Sequence, residues 1–253
     1  MSVHNKLPAH WSKRKAVIVI DKDDLPHLQM EDDGSILLNK EVSVLTHPLD
    51  ENDKIIQNII GSGLDAPGDM LLQNPYYPNQ YEVLDKAPQQ FALQRYLIFS
   101  TLCGHLGAKE VIIEEVEKRT SSRVQQLKVE GKIGIGSGNI TGQKEDLESM
   151  LRKMTLSHDF TGGKPNIEKA KAWLRRTRLI NDVEMFTLIE MRENQDNPVK
   201  TRKMTLDLSD ETKQLFKVIG GLVIPQYLTT IKGSYEKVVS EKTEYKLIVT
   251  VNF

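Results

Sequence analysis

The sequence predicts an α+β fold: an antiparallel sheet of long amphipathic hairpins, with a helical insert and a buried central helix. Apolar residues occupy every second position over residues 245–253, and residues 127–135, 154–160 and 204–208 repeat the pattern. Successive side chains of a strand point to opposite faces, so this alternation indicates strands with one apolar face. Residues 91–106 are apolar on nearly all sides, which is typical of a helix buried in a core.

The N-terminal elements are short and mostly extended. A β-branched apolar run at 16–20 predicts a buried strand, and the runs at 35–38 and 42–45 predict two more. Acidic residues immediately precede 54–60, which predicts a helix there. We therefore expect residues 1–60 to form a small β-rich N-terminal unit.

Residues 61–88 contain proline and glycine at a density that forbids a long regular element. We expect this segment to be either a packed surface loop or the linker to an α+β main domain over residues 89–253. As an alternative, the main domain and residues 1–60 form one continuous domain.

Hydrophobic periodicity assigns the elements of the main domain. Period-two stretches predict strands at 124–135, 154–160, 204–208 and 245–253. Residues 110–116 have strand character, and 215–231 is predicted as a strand region interrupted by glycine and proline. Besides the apolar helix at 91–106, helical spacing predicts helices at 141–154, 166–174 and 181–193. Residues 128–135 and 217–224 share one spacing of lysine, glycine and apolar residues, which indicates either two similar hairpins around the helical insert or a chance similarity.

The composition limits the partners and the compartment. Among 253 residues, Lys+Arg number 34 and Asp+Glu 35, a formal charge of -1, so nucleic acid is not expected as a partner. The single cysteine, Cys103, excludes an intrachain disulfide and favours a reducing compartment. The N-terminus lacks a secretory signal, and no apolar stretch approaches the roughly 20 residues of a membrane span. We therefore expect a cytoplasmic protein.

Asp21 and Asp23 follow the first predicted strand directly. Carboxylates at the end of a buried strand can bind a divalent cation or attack a phosphoryl group. This opening resembles that of the haloacid-dehalogenase phosphatases, and the resemblance implies a metal-dependent phosphate hydrolase with a doubly wound parallel sheet. The alternating C-terminal stretches predict an antiparallel sheet instead, so an acidic solvated turn is the competing interpretation. No other catalytic or metal-binding set is evident, and we expect no cofactor.

One local basic patch lies on the predicted helix at 166–174 and just beyond it. Its members are Lys171, Trp173, Arg175, Arg176 and Arg178. It is a candidate contact for the phosphate groups of lipid or nucleic acid, with Trp173 as an interfacial anchor. The competing interpretation is a solvated helix face whose charges pair with Glu168, Asp182 and Glu184.

These features leave three functional hypotheses. The first is a non-enzymatic intracellular protein that acts by self-assembly or protein-partner binding, because the exposed edges of amphipathic strands are templates for pairing. The second is a membrane-inserting, pore-forming effector, in which helices around 143–193 rearrange into strands; its logic is similar to that of the gasdermins and perforin-like proteins. The third is the phosphate hydrolase that uses Asp21 and Asp23.

Overall fold

The structure is a computed structural model that describes residues 6–30, 35–128, 142–155, 160–194, 196–207 and 209–253. It confirms the α+β fold class. The chain divides into two compact units, unit 1 (Met1–Pro88 and Asp210–Lys242) and unit 2 (Gln89–Ser209 and Thr243–Phe253). Each unit contains a four-stranded sheet.

The strands are β1 (Ala16–Asp21), β2 (Val42–His47), β3 (Met70–Gln73), β4 (Tyr81–Val83), β5 (Glu110–Arg119), β6 (Val124–Lys128), β7 (Thr201–Leu206) and β8 (Glu244–Asn252). The helices are α1 (Leu25–Met30), α2 (Ser35–Leu38), α3 (Lys54–Gly61), α4 (Ala87–His105), α5 (Gly142–Thr155), α6 (Ile167–Arg176), α7 (Val183–Glu193), α8 (Asp210–Gly220) and α9 (Thr229–Glu241). The helical insert predicted after the β5–β6 hairpin therefore consists of α5, α6 and α7.

The sheet of unit 1 has the order β2-β1-β3-β4. β1 pairs with β2 in parallel, whereas the β1–β3 and β3–β4 pairs are antiparallel. β1 is buried on both faces from Ala16 to Ile20, as its β-branched composition predicts. The core on one face joins Val17 and Val19 to Ile56 and Ile59 of α3.

The sheet of unit 2 has the order β6-β5-β8-β7 and is antiparallel throughout. The alternation predicted for β8 is confirmed: Tyr245, Leu247, Val249 and Val251 are at most 4% exposed and form the inner, core-facing side of the strand. Helix α4 corresponds to the buried central helix predicted at 91–106. Its fully buried residues include Phe91, Phe99, Leu102 and Cys103. Helix α5 packs against β5 and β6.

Two predicted strands are wrong. Residues 35–38 form α2, and residues 215–231 belong to α8, a short connection and the start of α9. In α8 the buried residues Thr212, Leu215 and Ile219 recur at helical spacing, and acidic residues occupy the first turn, as a helix N-terminus favours. Residues 209–253 therefore form no second hairpin, and β8 pairs with β5 and β7 instead.

Two other predicted stretches are described only in part. The strand expected at 154–160 begins inside α5 and does not form at residue 160, while residues 156–159 lie outside the described residues. The strand expected at 124–135 is confirmed as β6 up to Lys128, and residues 129–135 also lie outside the described part of the chain.

Helices α3 and α4 end in the same glycine-dependent motif. At the end of α4, Gly107 N–H bonds Gly104 O at 3.1 Å and Ala108 N–H bonds Cys103 O at 3.0 Å. At the end of α3, the N–H groups of Gly63 and Leu64 make the equivalent bonds, at 2.8 and 3.1 Å. Gly107 has φ +78 and Gly63 has φ +66, a region that side-chain-bearing residues rarely adopt.

Candidate interaction surface

The outer face of the unit 2 sheet is organised by a β-bulge in β5. Ile113 is paired with Val249 and Glu115 with Ile248, so Glu114 is an extra residue without a partner on β8. The Glu114 carboxylate accepts hydrogen bonds from the Lys203 ammonium and from Thr250 Oγ1, the latter at 2.6 Å. These hydrogen bonds lower the pKa of Glu114 below its ordinary value. The bulge thus holds the Lys203 side chain of β7 over β8, on the outer face of the sheet.

The inner face of β7 is tied to helix α7 by one arginine. Arg202, Met204 and Leu206 lie opposite Val251, Val249 and Leu247 of β8, so they share the core-facing side of the sheet. The Arg202 guanidinium bonds Glu184 Oε2 at 2.9 Å and Met191 Sδ at 2.8 Å. Both contacts are on α7, which therefore lies on the inner side of the sheet, along β7.

The β7 strand is an edge of its sheet. The N–H of Phe253 bonds Lys200 O at 2.8 Å, which identifies that residue pair as hydrogen-bonded. Because hydrogen-bonded and non-hydrogen-bonded pairs alternate along antiparallel strands, the backbone groups of Thr201, Lys203 and Thr205 point away from β8. These three residues are exposed, and in the described part of the chain β7 pairs with no strand other than β8.

An apolar stripe on α7 lies beside this edge. Val183 is 74% exposed and Met191 is 41% exposed, and the half-buried Thr187 lies between them at helical i, i+4 spacing. Met191 contacts Arg202 of β7, so the C-terminal end of the stripe lies next to the free strand. We call β7 together with Val183, Thr187 and Met191 the β7–α7 surface.

Helix α7 is held rigidly at both ends. At its start, the Asp182 carboxylate accepts the N–H of Met185 at 3.0 Å and bonds the buried Arg95 guanidinium of α4 at 2.6 Å. At its end, Arg192 donates to Leu106 O at 3.2 Å, and its guanidinium lies 4.2 Å from the centre of the Phe253 ring. Burial lowers the pKa of Arg192. The β7–α7 surface is therefore presented on a fixed scaffold.

The predicted basic patch lies on and after α6, and Trp173 and Lys171 connect it to the neighbouring helices α4 and α7 of unit 2. Trp173 Nε1 donates to Ile98 O of α4 at 3.0 Å, and its ring meets the His105 ring edge to face. Burial lowers the pKa of His105. The Lys171 ammonium pairs with Glu193 of α7 at 3.1 Å.

The other patch residues are arginines at the end of α6. Arg175 and Arg176 are exposed, and the Arg176 guanidinium lies 5.9 Å from the centre of the Trp173 ring. Arg178 has φ 63, at the position that glycine occupies in α3 and α4. Of the acidic partners expected for the patch, Asp182 pairs with Arg95 and Glu184 with Arg202. Anion or lipid binding by the patch stays a prediction.

Asp21 and Asp23 are both exposed. Asp21 ends β1 beside His47, its partner at the end of the parallel strand β2. No group of three or more side chains suited to hold a metal ion occurs among the described residues. The surrounding sheet is mixed rather than doubly wound and parallel. The hydrolase hypothesis stays a prediction, as does the membrane-inserting one, whose region contains α5, α6 and α7.

The sequence predicted a strand at 204–208 but not its place at the sheet edge. The order of strands depends on contacts between distant residues, which a hydrophobic pattern does not contain. The sequence does contain a local signal for the bulge. Two consecutive glutamates, Glu114 and Glu115, separate the apolar residues Ile113 and Val116 by three positions instead of two, which indicates one extra residue.

Comparison with known proteins gives no relative: no family model, no curated protein and no solved structure matches this chain. None of the helices in the described ranges is long and apolar enough to cross a membrane.

Proposed function

We propose that this is a non-enzymatic binding protein that acts by pairing the free edge of β7 with a strand of another polypeptide. The observation that carries the proposal is the β7–α7 surface: outward-pointing backbone groups at Thr201, Lys203 and Thr205, next to an exposed apolar stripe. Added strands gain affinity from main-chain hydrogen bonds and specificity from alternate side chains.

The usual protections of an edge strand are weak in β7. Sheet edges are commonly blocked by proline, by bulges, by short length or by outward-pointing lysine. β7 has six residues and no proline, and its pairing with β8 is regular from Thr201 to Leu206. Its exposed lysine, Lys203, is engaged by Glu114 rather than extended past the edge. The strand is therefore accessible to a partner.

The surface also defines the kind of segment that fits. A paired strand would place alternate side chains on the inner side, beside Met204 and the exposed Val183 and Met191 of α7, so apolar residues are favoured there. Its other side chains would lie beside Thr201, Lys203 and Thr205, where polar residues are favoured. We place this activity in a reducing, cytoplasmic setting, which the single buried thiol of Cys103 supports.

The test compares Thr205→Pro with Thr205→Ala. Proline removes one outward N–H, which β8 does not use, whereas alanine removes the side chain and retains the N–H. Wild type and both variants are immobilised, incubated with cell extract and analysed for retained proteins, and each is sedimented at several concentrations. We expect Thr205→Pro to lose a bound species or an oligomer that Thr205→Ala retains. Identical behaviour of the proline variant and wild type in both assays would refute the proposal.

A further inference from the structure

We propose that the strand occupying this edge is β7 of a second copy, so that two protomers form a two-fold dimer with one continuous sheet. This inference rests on the proposed function and specifies its partner. Each protomer contributes the four-stranded sheet of its unit 2. The two β7 strands pair antiparallel about an axis perpendicular to the sheet, which makes the interface isologous.

The symmetry brings the apolar stripes together. A two-fold axis perpendicular to a sheet leaves each face on its own side, so the inner faces of both protomers are continuous. Helix α7 lies on that inner side, beside the edge, through the contacts of Arg202 with Glu184 and Met191. The two α7 helices are therefore neighbours across the axis, and each covers the other's Val183 and Met191, which the isolated protomer leaves exposed.

The register follows from the side-chain faces and the charges. Directly opposed residues of antiparallel strands share a face, so the axis must pass through a residue rather than between two. An axis at Lys203 or at Arg202 would place like charges opposite each other, which is destabilising. Of the remaining axes, the one at Met204 pairs the most residues of β7, 202–206, and it places Lys203 opposite the partner's Thr205. Both residues point their backbone groups outward, so they form a hydrogen-bonded pair.

The charges of the edge favour a second copy over an acidic segment. Arg202 bonds Glu184 at 2.9 Å, and Lys203 bonds Glu114, so both cations of β7 have acidic partners within their own protomer. The other β7 residues are uncharged. Two such strands approach without an unpaired charge, whereas an acidic peptide would have to displace these internal partners.

Strand pairing alone is too small for a stable dimer. Stable interfaces bury about 800 Å² per partner, more than one short strand pair supplies. The exposed Val183 and Met191 of the stripe add apolar area to that of the strand pair, as the core of an interface requires.

The first test is the mass of the full chain by sedimentation over a wide concentration range. Val183→Glu places a charge in the stripe and is compatible with the helix, because a carboxylate is favourable in the first turn. Val124→Glu is the matched control, since Val124 is 60% exposed on β6, the opposite edge of the same sheet. We expect a dimer whose dissociation constant rises about tenfold or more in Val183→Glu and stays unchanged in Val124→Glu. Equal effects of the two variants would overturn the interface.

The second test fixes the register with engineered thiols. Cys103 is 0% exposed, so a cysteine placed on β7 is the accessible thiol of each variant. Lys203→Cys and Thr205→Cys proteins are purified separately and oxidised alone or mixed. Hydrogen-bonded pairs have Cα atoms about 5.5 Å apart, within the range of a disulfide. We expect a covalent heterodimer only in the mixture. A covalent homodimer of Lys203→Cys would place the axis at that residue and overturn the register.

The outcomes separate the two proposals. A protein that is monomeric at every concentration but retains a bound partner sensitive to Thr205→Pro would overturn the dimer and leave the proposed function standing. A monomer without any such partner would overturn both.

Discussion

Replacing Gly107 with alanine should destabilise unit 2 more than replacing Gly63 with alanine destabilises unit 1. Both glycines end a helix with the same hydrogen-bond pattern and nearly the same positive φ. An alanine in the left-handed region costs roughly 1–2 kcal/mol at either position. A Cβ at Gly63 meets nothing within 4 Å, whereas a Cβ at Gly107 would lie 2.2 Å from the backbone oxygen of Gly163. The packed segment at residues 162–164 must then shift.

The shift adds an overpacking penalty of about 1–3 kcal/mol to Gly107→Ala. The expected difference between the two variants is therefore about 2 kcal/mol, or about 4–8 °C in Tm for units of this order of size. The chain has 2 tryptophans, Trp11 in unit 1 and Trp173 in unit 2. Fluorescence-monitored urea unfolding in single-tryptophan backgrounds follows each unit separately. Equal losses of unfolding free energy in the two variants would refute the close approach of the two segments.

Three further outcomes follow from the edge and the core. Met204→Pro removes a ladder hydrogen bond and a buried side chain, so it should lower the free energy of unfolding by about 3 kcal/mol or more, against about 1 kcal/mol for Thr205→Pro. Similar losses for the two variants, measured by urea unfolding, would contradict the assigned pairing. Since hydrogen bonds lower the pKa of Glu114, its carboxylate stabilises the fold above the unfolded pKa, and this contribution is lost as the pH falls through the folded value. The stability difference between wild type and Glu114→Gln, followed by urea unfolding against pH, should therefore shrink in acid; a constant difference would exclude this role. Burial raises the pKa of Cys103 well above its ordinary value, so a chromogenic thiol reagent should react only after unfolding; prompt reaction of the native protein would contradict the buried position.

Local patterns predicted the elements whose burial is one-sided or complete. β8 was predicted because apolar residues occupy every second position from Tyr245 to Val251. In the structure these residues are buried and alternate with more exposed ones. The central helix α4 was predicted from its continuous apolar character, and α7 from the helical spacing of its apolar residues. The residue that caps α7 is Asp182, which accepts the N–H of Met185.

The parts that were mispredicted or not foreseen depend on distant contacts. Residues 215–231 contain one glycine pair and several β-branched residues that resemble a strand, but Leu215 and Ile219, four residues apart, are both buried, as one face of the helix α8 requires. The β7–α7 surface depends on the strand order and on the Arg202–Glu184 pair, which no period in the sequence encodes. Local patterns therefore predicted the strand and the helix that form the candidate site, but they could not predict how these two elements are arranged.

The central position of β8 also has a kinetic consequence. Thr250 Oγ1 and its acceptor Glu114 are 136 residues apart in the chain, so β8 joins β5 only after a very long loop closes. Such non-local pairing slows folding, because loop entropy is lost before the contacts compensate for it. Until that step, β5 and β7 both lack their main partner, and the nascent sheet has additional open edges. Refolding yield should therefore depend on protein concentration, because this intermediate is prone to aggregate.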